Sequence, residues 1–237
     1  MIRKLAILKT GSKLDSMSDI EGDFEDWIQA GLHISREQML VLDAQVQTVF
    51  PTPDLVKAVV ITGSGAMVTE HSDWIEHCAT WLRQCVVAEI PVLGICFGHQ
   101  LLAYALGGIV DWNPCGLEVG SVSLSLHAAA QHDELFGHIN QGCLVNASHR
   151  QSVISLPADA IRLGTTDKDA NHVFRFGTRA WGIQFHPEFD ARIIHKYIDH
   201  YADSLLEQGE QKEHIAAAAQ DTPQAASVLQ VFAKLPV

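Results

Sequence analysis

An apolar strand runs directly into a helix within the segment PVLGICFGHQLL, residues 91–102. The strand part is short and wholly apolar, which is typical of a strand at the centre of a parallel sheet. The junction is a G-x-C-x-G pattern centred on Cys96, in which a sharp turn presents the middle residue at the carboxyl edge of the sheet. Gly94 and Gly98 leave room for a strained turn and for closely packed neighbouring backbone. The segment therefore predicts an α/β fold in which Cys96 is a nucleophile.

The position of Cys96 at the start of a helix has electrostatic consequences. Unpaired N–H groups and the helix dipole favour the thiolate over the thiol at this position. The same N–H groups, that of Phe97 first, can stabilise an oxyanion after the sulfur attacks a carbonyl carbon. The other cysteines lack this setting, since three lie inside helix or strand patterns and one lies in a loop: Cys78, Cys85, Cys143 and Cys115.

Strand and helix patterns alternate on both sides of this segment. Strands are predicted at residues 5–9, 39–42 and 58–61, and helices at residues 23–32 and 72–85. Shorter strands follow after residue 110, and an amphipathic helix is predicted over residues 191–206. The simplest fold class is a single α/β domain, an open and mostly parallel sheet with helices on both faces.

The predicted domain covers residues 1–206, and residues 207–237 form a predicted C-terminal helical tail. The tail is mostly Ala, Gln, Glu and Lys and ends in an apolar run. No internal repeat or low-complexity linker divides the chain before it. We expect this tail to be a helix with an exposed end.

A second segment, WGIQFHPEF at residues 181–189, supplies a partner for the cysteine. A thiolate nucleophile needs a base or an ion-pair partner, which in turn needs an orienting group. Alternate residues of an extended chain point to the same side, so His186 and Glu188 can lie side by side. Pro187 fixes its own φ and keeps His186 extended, which limits the freedom of the pair. A carboxylate on one imidazole nitrogen leaves the other facing the sulfur and favours the imidazolium.

Together the two segments resemble the class I (triad-type) glutamine amidotransferases, and most closely their stand-alone, GMP-synthase-like members. The joint motif is GICFGHQ, followed ninety residues after the cysteine by HPE. The resemblance implies a flavodoxin-like sheet, with residues 1–206 as a glutamine amidotransferase type-1 domain. It also implies a triad of Cys96, His186 and Glu188, a γ-glutamyl thioester on the sulfur and release of ammonia. We expect no metal ion and no cofactor.

The resemblance also implies an oxyanion hole with two backbone donors. In the family the second donor comes from a small-residue loop after the strand that neighbours the nucleophile strand. Here that loop is Gly63-Ser64-Gly65, so the N–H of Ser64 is expected to act together with that of Phe97. Many relatives carry Gly-Gly-Pro in this loop, but a serine is tolerable where a backbone group is the donor.

Five residues are expected to contact the substrate. Gln100 lies one helical turn after Cys96 on the same face, and in the family this glutamine helps to hold the substrate glutamine. The alternative is a polar helix residue at a solvated edge. Ser148-His149, after the strand predicted at residues 143–147, resembles an S-H segment that contacts the α-groups of glutamine, with a generic turn as the alternative. The expected substrate contacts are Gln100, Gly63, Gly65, Ser148 and His149.

Composition argues against several other classes of function. Asp and Glu total 28 against 16 Lys and Arg, giving a formal net charge of −12 without any Lys/Arg run. A generic binder of phosphate backbones needs clustered cations, so nucleic acid is not an expected partner. No apolar stretch approaches the ~20 residues that span a bilayer, so no membrane partner is expected either. The five cysteines form no disulfide framework, which predicts free thiols and a cytoplasmic protein.

The expected substrate is glutamine or another γ-glutamyl compound, and several activities share the thioester step. Neither an S-G-G-x-D-S segment nor a G-x-x-x-x-G-K-[ST] phosphate loop occurs, so ammonia transfer requires a separate synthetase subunit. The alternatives are a free-standing glutaminase, a γ-glutamyl peptidase acting on glutathione-like compounds, and a transferase that passes the γ-glutamyl group to an amine. A non-enzymatic binding protein on the same scaffold is a further alternative, which the intact motifs disfavour.

Overall fold

A computed structural model describes residues 3–236, which form one nine-stranded sheet and a two-stranded ribbon. The strands are β1 (Lys4–Lys9), β2 (Met39–Asp43), β3 (Val56–Ile61), β4 (Val92–Ile95), β5 (Ile109–Trp112), β6 (Glu118–Leu126), β7 (Cys143–His149), β8 (Gln151–Ser155), β9 (Ile161–Thr165), β10 (Val173–Phe176) and β11 (Ala180–Ile183). Their order in the large sheet is β2-β1-β3-β4-β11-β10-β9-β6-β7, and β5 pairs with β8 in the ribbon.

Strands β2, β1, β3, β4 and β11 form the parallel half of the sheet. Every residue of β4 is buried, as are most of β1 and β3, which explains why these strands are continuous apolar runs in the sequence. Because β4 lies between β3 and β11, the strand that leads into Cys96 is enclosed on both edges.

Helices cover both faces of the sheet, each over its own apolar core. The helices are α1 (Phe24–Leu32), α2 (Asp73–Val87), α3 (Phe97–Ala105), α4 (Ala191–His200), α5 (Ala202–Glu207), α6 (Lys212–Ala218) and α7 (Pro223–Ala233). Leu5 and Ile7 of β1 pack with α1 and α7, whereas Ala6 and Leu8 pack with α2 and α3 on the opposite face. The predicted α/β fold class is confirmed. None of the helices within residues 3–236 is long and apolar enough to cross a membrane.

Strands β10, β9, β6 and β7 form the other half of the sheet, and all pairings among them and between β10 and β11 are antiparallel. The sequence predicts short strands there, but it does not predict the ribbon of β5 and β8. These strands have only four and five residues, and Ile109 and Trp112 at the ends of β5 are exposed. A strand is predicted from the alternation of apolar and polar residues, and a segment this short with exposed apolar ends shows no clear alternation.

The helix predicted over residues 191–206 is interrupted at Tyr201. There φ is −97° and ψ is 16°, so the chain leaves helical geometry between α4 and α5. The Tyr201 ring packs under the guanidinium of Arg150, whose central carbon lies 4.9 Å from the ring centroid. This cation–π contact fixes the ring at the turn. The prediction of one continuous helix is wrong at this point.

The tail is packed more deeply than the sequence indicates. Helix α7 lies against α1, and Val228, Leu229 and Phe232 are at most 2% exposed. Their spacing places them on one apolar face, which completes the core on that side of the sheet. The sequence does not indicate this burial of α7, and the exposed residues of the predicted end, Lys234 and Pro236, lie after the helix. The boundary at residue 206 stays a prediction.

Leu229→Ala is expected to lower the free energy of unfolding by about 2–5 kcal/mol, the usual cost of truncating a buried leucine. Leu229 is fully buried, and its side chain fills the space beside Gly31. Leu206→Ala, at a leucine that is 75% exposed, is the matched control and changes the same quantity by no more than about 0.5 kcal/mol. Urea-induced unfolding measures both variants. Equal stabilities would show that α7 is not part of the core.

Candidate active site

The turn between β4 and α3 consists of Cys96 alone. Its φ of 52° and ψ of −104° lie outside the regions open to most L-residues, a strain of about 1–3 kcal/mol. The N–H of Cys96 donates to the carbonyl oxygen of Ile183 at 2.9 Å, and its own carbonyl accepts from the N–H of Gln100 at 3.1 Å. Phe97 begins α3 directly after it. This is the strained strand–turn–helix geometry that the G-x-C-x-G pattern predicts.

Two glycines allow the backbone around this turn to pack closely. A Cβ on Gly94 would lie 2.3 Å from the carbonyl oxygen of Gly98. A Cβ on Gly98 would lie 2.5 Å from the carbonyl oxygen of Ile61, the last residue of β3. A side chain at either position would therefore push α3 away from the sheet, and Cys96 with it.

His186 lies just beyond the end of β11, and aromatic contacts fix its ring. The imidazole stacks on Phe189 with ring centroids 3.9 Å apart, and Phe24 lies nearly parallel to it at 6.0 Å. The distance between His186 Nδ1 and Glu188 Oε1 is 2.7 Å, and the Glu188 side chain is fully buried. Because Nδ1 donates to this carboxylate, Nε2 is the nitrogen available to the Cys96 sulfur.

The surroundings of His186 favour its protonated form. Burial lowers the pKa of His186, but negative charge at Glu188 and Cys96 and the hydrogen bonds to both raise that pKa to about 10. These surroundings favour the imidazolium at neutral pH. Glu188 and His186 form a hydrogen-bonded pair, and the triad of this pair with Cys96 stays a prediction.

Ser148 also lies next to the sulfur. The Cys96 Sγ is 3.5 Å from the carbonyl oxygen of Ser148. The Ser148 hydroxyl is buried and has no hydrogen-bond partner within residues 3–236. Cys96 itself is 7% exposed, so access to the sulfur is restricted. Ser148 is the penultimate residue of β7 rather than part of a turn, which settles the structural alternative left open by the sequence.

The loop of residues 63–65 lies at the site. Gly63 is so close to the imidazole that a Cβ there would lie 2.9 Å from His186 Cε1. The Ser64 hydroxyl donates to the carbonyl oxygen of Thr10 at 2.9 Å, so the Ser64 side chain is held by the loop that follows β1. Whether the N–H of Ser64 stabilises an oxyanion stays a prediction.

Gln100 faces the protein interior. It is 4% exposed, and its Nε2 donates to the carbonyl oxygen of Gln151 at 2.8 Å and to Gln184 Oε1 at 3.0 Å. Both amide hydrogens are thus used within the protein, which leaves only Oε1 for a ligand. The alternative of a polar residue at a solvated edge is wrong, and the contact with substrate stays a prediction.

The His149 side chain belongs to a buried polar group that the sequence analysis misses. His149 Nε2 is 2.9 Å from Glu118 Oε2, and Glu118 also accepts a hydrogen bond from the Thr166 hydroxyl at 2.8 Å. His172 Nδ1 lies 3.6 Å from Glu118 Oε2 and 3.5 Å from Asp169 Oδ2. These four acidic and imidazole side chains are at most 4% exposed.

Opposite charges offset the burial of this group. Burial raises the pKa of Glu118, but the hydrogen bond from His149 and the charges of both histidines hold it below its ordinary value. Burial lowers the pKa of His149, but the hydrogen bond to Glu118 raises it above its ordinary value. Glu118 and His149 are directly opposite in the pairing of β6 with β7. Only knowledge of that pairing would have joined them from the sequence.

Comparison with known protein families agrees with the motifs around the sulfur. The family described as "Glutamine amidotransferase class-I" matches residues 28–200. The chain belongs to the class I glutamine amidotransferases.

Several known proteins are similar to the chain. A glutamine amidotransferase-like protein of Schizosaccharomyces pombe is 26% identical over 210 residues, 82% of each chain. Gamma-glutamyl peptidase 5 of Arabidopsis thaliana is 32% identical over 152 residues, 63% of this chain and 61% of the peptidase. A glutamine-hydrolyzing GMP synthase of Bacteroides fragilis is 32% identical over 142 residues, 59% of this chain and 26% of the synthase. The predicted resemblance to GMP-synthase-like amidotransferases is confirmed.

A solved structure shows the same fold. The crystal structure of a glutamine amidotransferase from Thermotoga maritima has a TM-score of 0.74 to this chain, with 22% sequence identity. The match covers 98% of this chain and 97% of that one, so it includes the tail that follows residue 206.

Gly63→Ala is expected to displace the His186 ring, because the added methyl group meets the imidazole at 2.9 Å. Gly65→Ala is the matched control, since a Cβ there meets no atom within 4 Å. Loss of the ring's position weakens its support of the thiolate, and we expect alkylation of Cys96 by iodoacetamide at neutral pH to slow by about tenfold or more. Mass spectrometry of the Cys96 peptide measures the rate. Equal rates in the two variants would contradict the close packing of Gly63 against His186.

Proposed function

We propose that the chain hydrolyses the γ-amide of glutamine, with Cys96 as nucleophile, His186 as acid and base, and Glu188 orienting the imidazole. The observation that carries this proposal is the buried pair of Glu188 and His186, with 2.7 Å between Glu188 Oε1 and His186 Nδ1, at the sheet edge where Cys96 occupies its strained turn. Burying a carboxylate and an imidazolium costs several kcal/mol per ion before they interact. A buried pair of this composition is therefore explained better by chemistry than by stability.

In the first half-reaction the Cys96 thiolate attacks the amide carbon, and the carbonyl electron pair moves onto oxygen. The N–H groups of Phe97 and Ser64 donate to this oxyanion. The C–N bond then breaks while His186 transfers its Nε2 proton to the departing nitrogen, which leaves as ammonia. A γ-glutamyl thioester on Cys96 and a neutral imidazole remain.

In the second half-reaction the neutral His186 removes a proton from water as its oxygen attacks the thioester carbon. The C–S bond breaks, glutamate leaves, and the thiolate and imidazolium are restored. Glutamine and water thus give glutamate and ammonia. Glu188 stays ionised throughout and keeps Nδ1 protonated, so Nε2 faces the reacting atoms.

Several residues near the sulfur are proposed to hold the substrate. Ser148 is supported by its unpaired, buried hydroxyl and by its carbonyl oxygen 3.5 Å from Cys96 Sγ. Gly63 and Gly65 offer backbone groups, and Gln100 offers Oε1. His149 acts through its position, because its side chain is engaged with Glu118 and its backbone extends the strand that carries Ser148.

A γ-glutamyl peptidase activity is the second candidate. The relative named gamma-glutamyl peptidase 5 supports it, because it is 32% identical over 152 residues. The acyl step is the same, and the leaving group is the amine of an amino acid instead of ammonia. The small exposed fraction of Cys96, 7%, supports the smaller leaving group as the first candidate.

The decisive assay incubates the purified full chain with glutamine and, separately, with γ-glutamyl dipeptides, and measures ammonia and free amino acids. We expect ammonia from glutamine, and a loss of about 10³-fold or more in Cys96→Ser because the hydroxyl ionises far less readily than the thiol. Cys115→Ser, at an exposed cysteine, is the control and retains the activity.

The outcomes of this assay separate the candidates. Turnover of dipeptides alone supports the peptidase. Slow turnover of glutamine, with a glutamine-derived γ-diazoketone still labelling Cys96, supports a requirement for a separate synthetase subunit. The match to the Bacteroides fragilis GMP synthase covers only 26% of that enzyme, which is consistent with a glutaminase part that works with a separate synthetase part. Absence of both turnover and labelling would contradict every enzymatic reading and leave a binding protein.

Glu188→Gln is expected to move the alkaline limit of activity to lower pH. Negative charge at Glu188 is the first of the influences that raise the pKa of His186 toward about 10 against the effect of burial. Without that charge the imidazolium loses its proton at lower pH. We therefore expect the pH at which kcat/KM declines on the alkaline side to move down by about one to three pH units. Neutral activity falls as well, but less than in Cys96→Ser. Glu207→Gln, at an exposed glutamate, leaves the profile unchanged, and an unshifted profile in Glu188→Gln would contradict the role of Glu188.

A further inference from the structure

We propose that Glu118, His149 and His172 bind one divalent transition-metal ion with the ligand preferences of Zn²⁺. Glu118 begins β6, His149 ends β7, and His172 immediately precedes β10. Their side chains are 4%, 1% and 0% exposed. One donor atom from each lies within 4.8 Å of the other two. Two imidazoles and a carboxylate form a ligand set that proteins use for zinc.

The distances between these donor atoms suit a single ion. Glu118 Oε2 lies 2.9 Å from His149 Nε2 and 3.6 Å from His172 Nδ1. Donor atoms at about 2.0–2.1 Å from a tetrahedral zinc ion are about 3.3 Å from one another. The two distances from Glu118 therefore differ from that value by only a few tenths of an ångström, and the donor atoms of His149 and His172 lie within 4.8 Å of each other.

The hydrogen bonds of His149 orient it as a metal ligand. Its Nδ1 is 2.9 Å from the carbonyl oxygen of Gln151, an acceptor that requires the proton to be on Nδ1. The hydrogen bond between Nε2 and Glu118 then uses the second ring proton, and a divalent cation between these two atoms would take the place of that proton. A ligand histidine whose other N–H donates to a backbone carbonyl, and a ligand carboxylate that accepts a hydrogen bond, as Glu118 does from Thr166, are typical of metal sites.

His172 is the second, independent sign that a ligand belongs here. The ring is fully buried, yet neither nitrogen has a hydrogen-bond partner within the described part of the chain. A buried polar group without a partner costs about 1–3 kcal/mol, so such groups need an explanation. Coordination through Nδ1 provides a partner for one of them. Asp169, 3.5 Å from that nitrogen, adds a second carboxylate, and two carboxylates balance the charge of a divalent ion.

One of the three residues borders a surface cavity. This cavity of about 380 Å³ is lined by Glu118 together with Asp167, His214 and the ion pair of Lys168 with Glu210. The ion would join β6, β7 and the segment before β10. Because Ser148, next to His149, contacts the Cys96 sulfur, such an ion would also fix the strand end that borders the nucleophile.

The test measures metal binding and does not depend on the proposed reaction. The full chain, carrying Cys96→Ser and Cys115→Ser to remove the reactive and the exposed thiol, is stripped with a chelator, incubated with Zn²⁺ and desalted. We expect about one Zn²⁺ per chain by elemental analysis, and a rise in Tm of about 2–8 °C on adding Zn²⁺ but none with Mg²⁺.

His172→Gln and His149→Gln are expected to bind less than about a tenth as much, since loss of one of three ligands removes most of the affinity. His214→Gln, in the same cavity but outside the ligand group, is the matched control and binds Zn²⁺ like the parent.

X-ray absorption at the zinc edge keeps the test valid if a ligand variant does not fold, because it is recorded on the parent chain. Nitrogen and oxygen neighbours at about 2.0–2.1 Å support the site, whereas a sulfur neighbour at about 2.3 Å overturns it. A folded parent chain that retains no Zn²⁺, or ligand variants that retain as much as the parent, also overturns it.

Discussion

The parallel pairing of β4 with β11 is the constraint on which the candidate site depends. Ile95 and Ile183 are opposite in its register, and the N–H of Cys96 continues the pairing onto the Ile183 carbonyl at 2.9 Å. Because parallel strands end at the same edge of a sheet, the turn after β4 and the extended His-Pro-Glu segment after β11 emerge together. A slip of one residue would turn the side chains of one strand to the opposite face. Backbone hydrogen bonds therefore bring two segments ninety residues apart to one edge of the sheet.

Two features of the site raise the free energy of the folded state, and both depend on the rigidity of this part of the sheet. One is the positive φ of Cys96, and the other is the burial of charge at His186 and Glu188. The strain at Cys96 is confined between fully buried β4 residues and glycine contacts that leave no room for the turn to relax. The His186 imidazole is confined by aromatic rings, above all by that of Phe189, three residues further along the chain. A site assembled on mobile loops would lose both arrangements.

The parts of the site that could be predicted are those encoded in contiguous residues. The G-x-C-x-G pattern specifies a turn within five residues, and the alternation of an extended chain places His186 and Glu188 on one side. The buried face of α7 and the interior position of Gln100 could not be predicted, because each depends on which distant element packs against it. The same holds for Glu118 and His149, which are 31 positions apart and meet only through the antiparallel register of β6 and β7.

That register also explains why the two histidine–carboxylate pairs have different surroundings. Successive residues of a strand point to opposite faces. The backbone carbonyl of Ser148 is 3.5 Å from the Cys96 sulfur, and the imidazole of His149, the next residue of β7, is held by Glu118, which is opposite it in the register. His186 is instead held by Glu188 two residues along the same extended segment. One pair thus depends on the pairing of two strands and the other on local chain geometry, while the contact of Ser148 and His149 with a substrate stays a prediction.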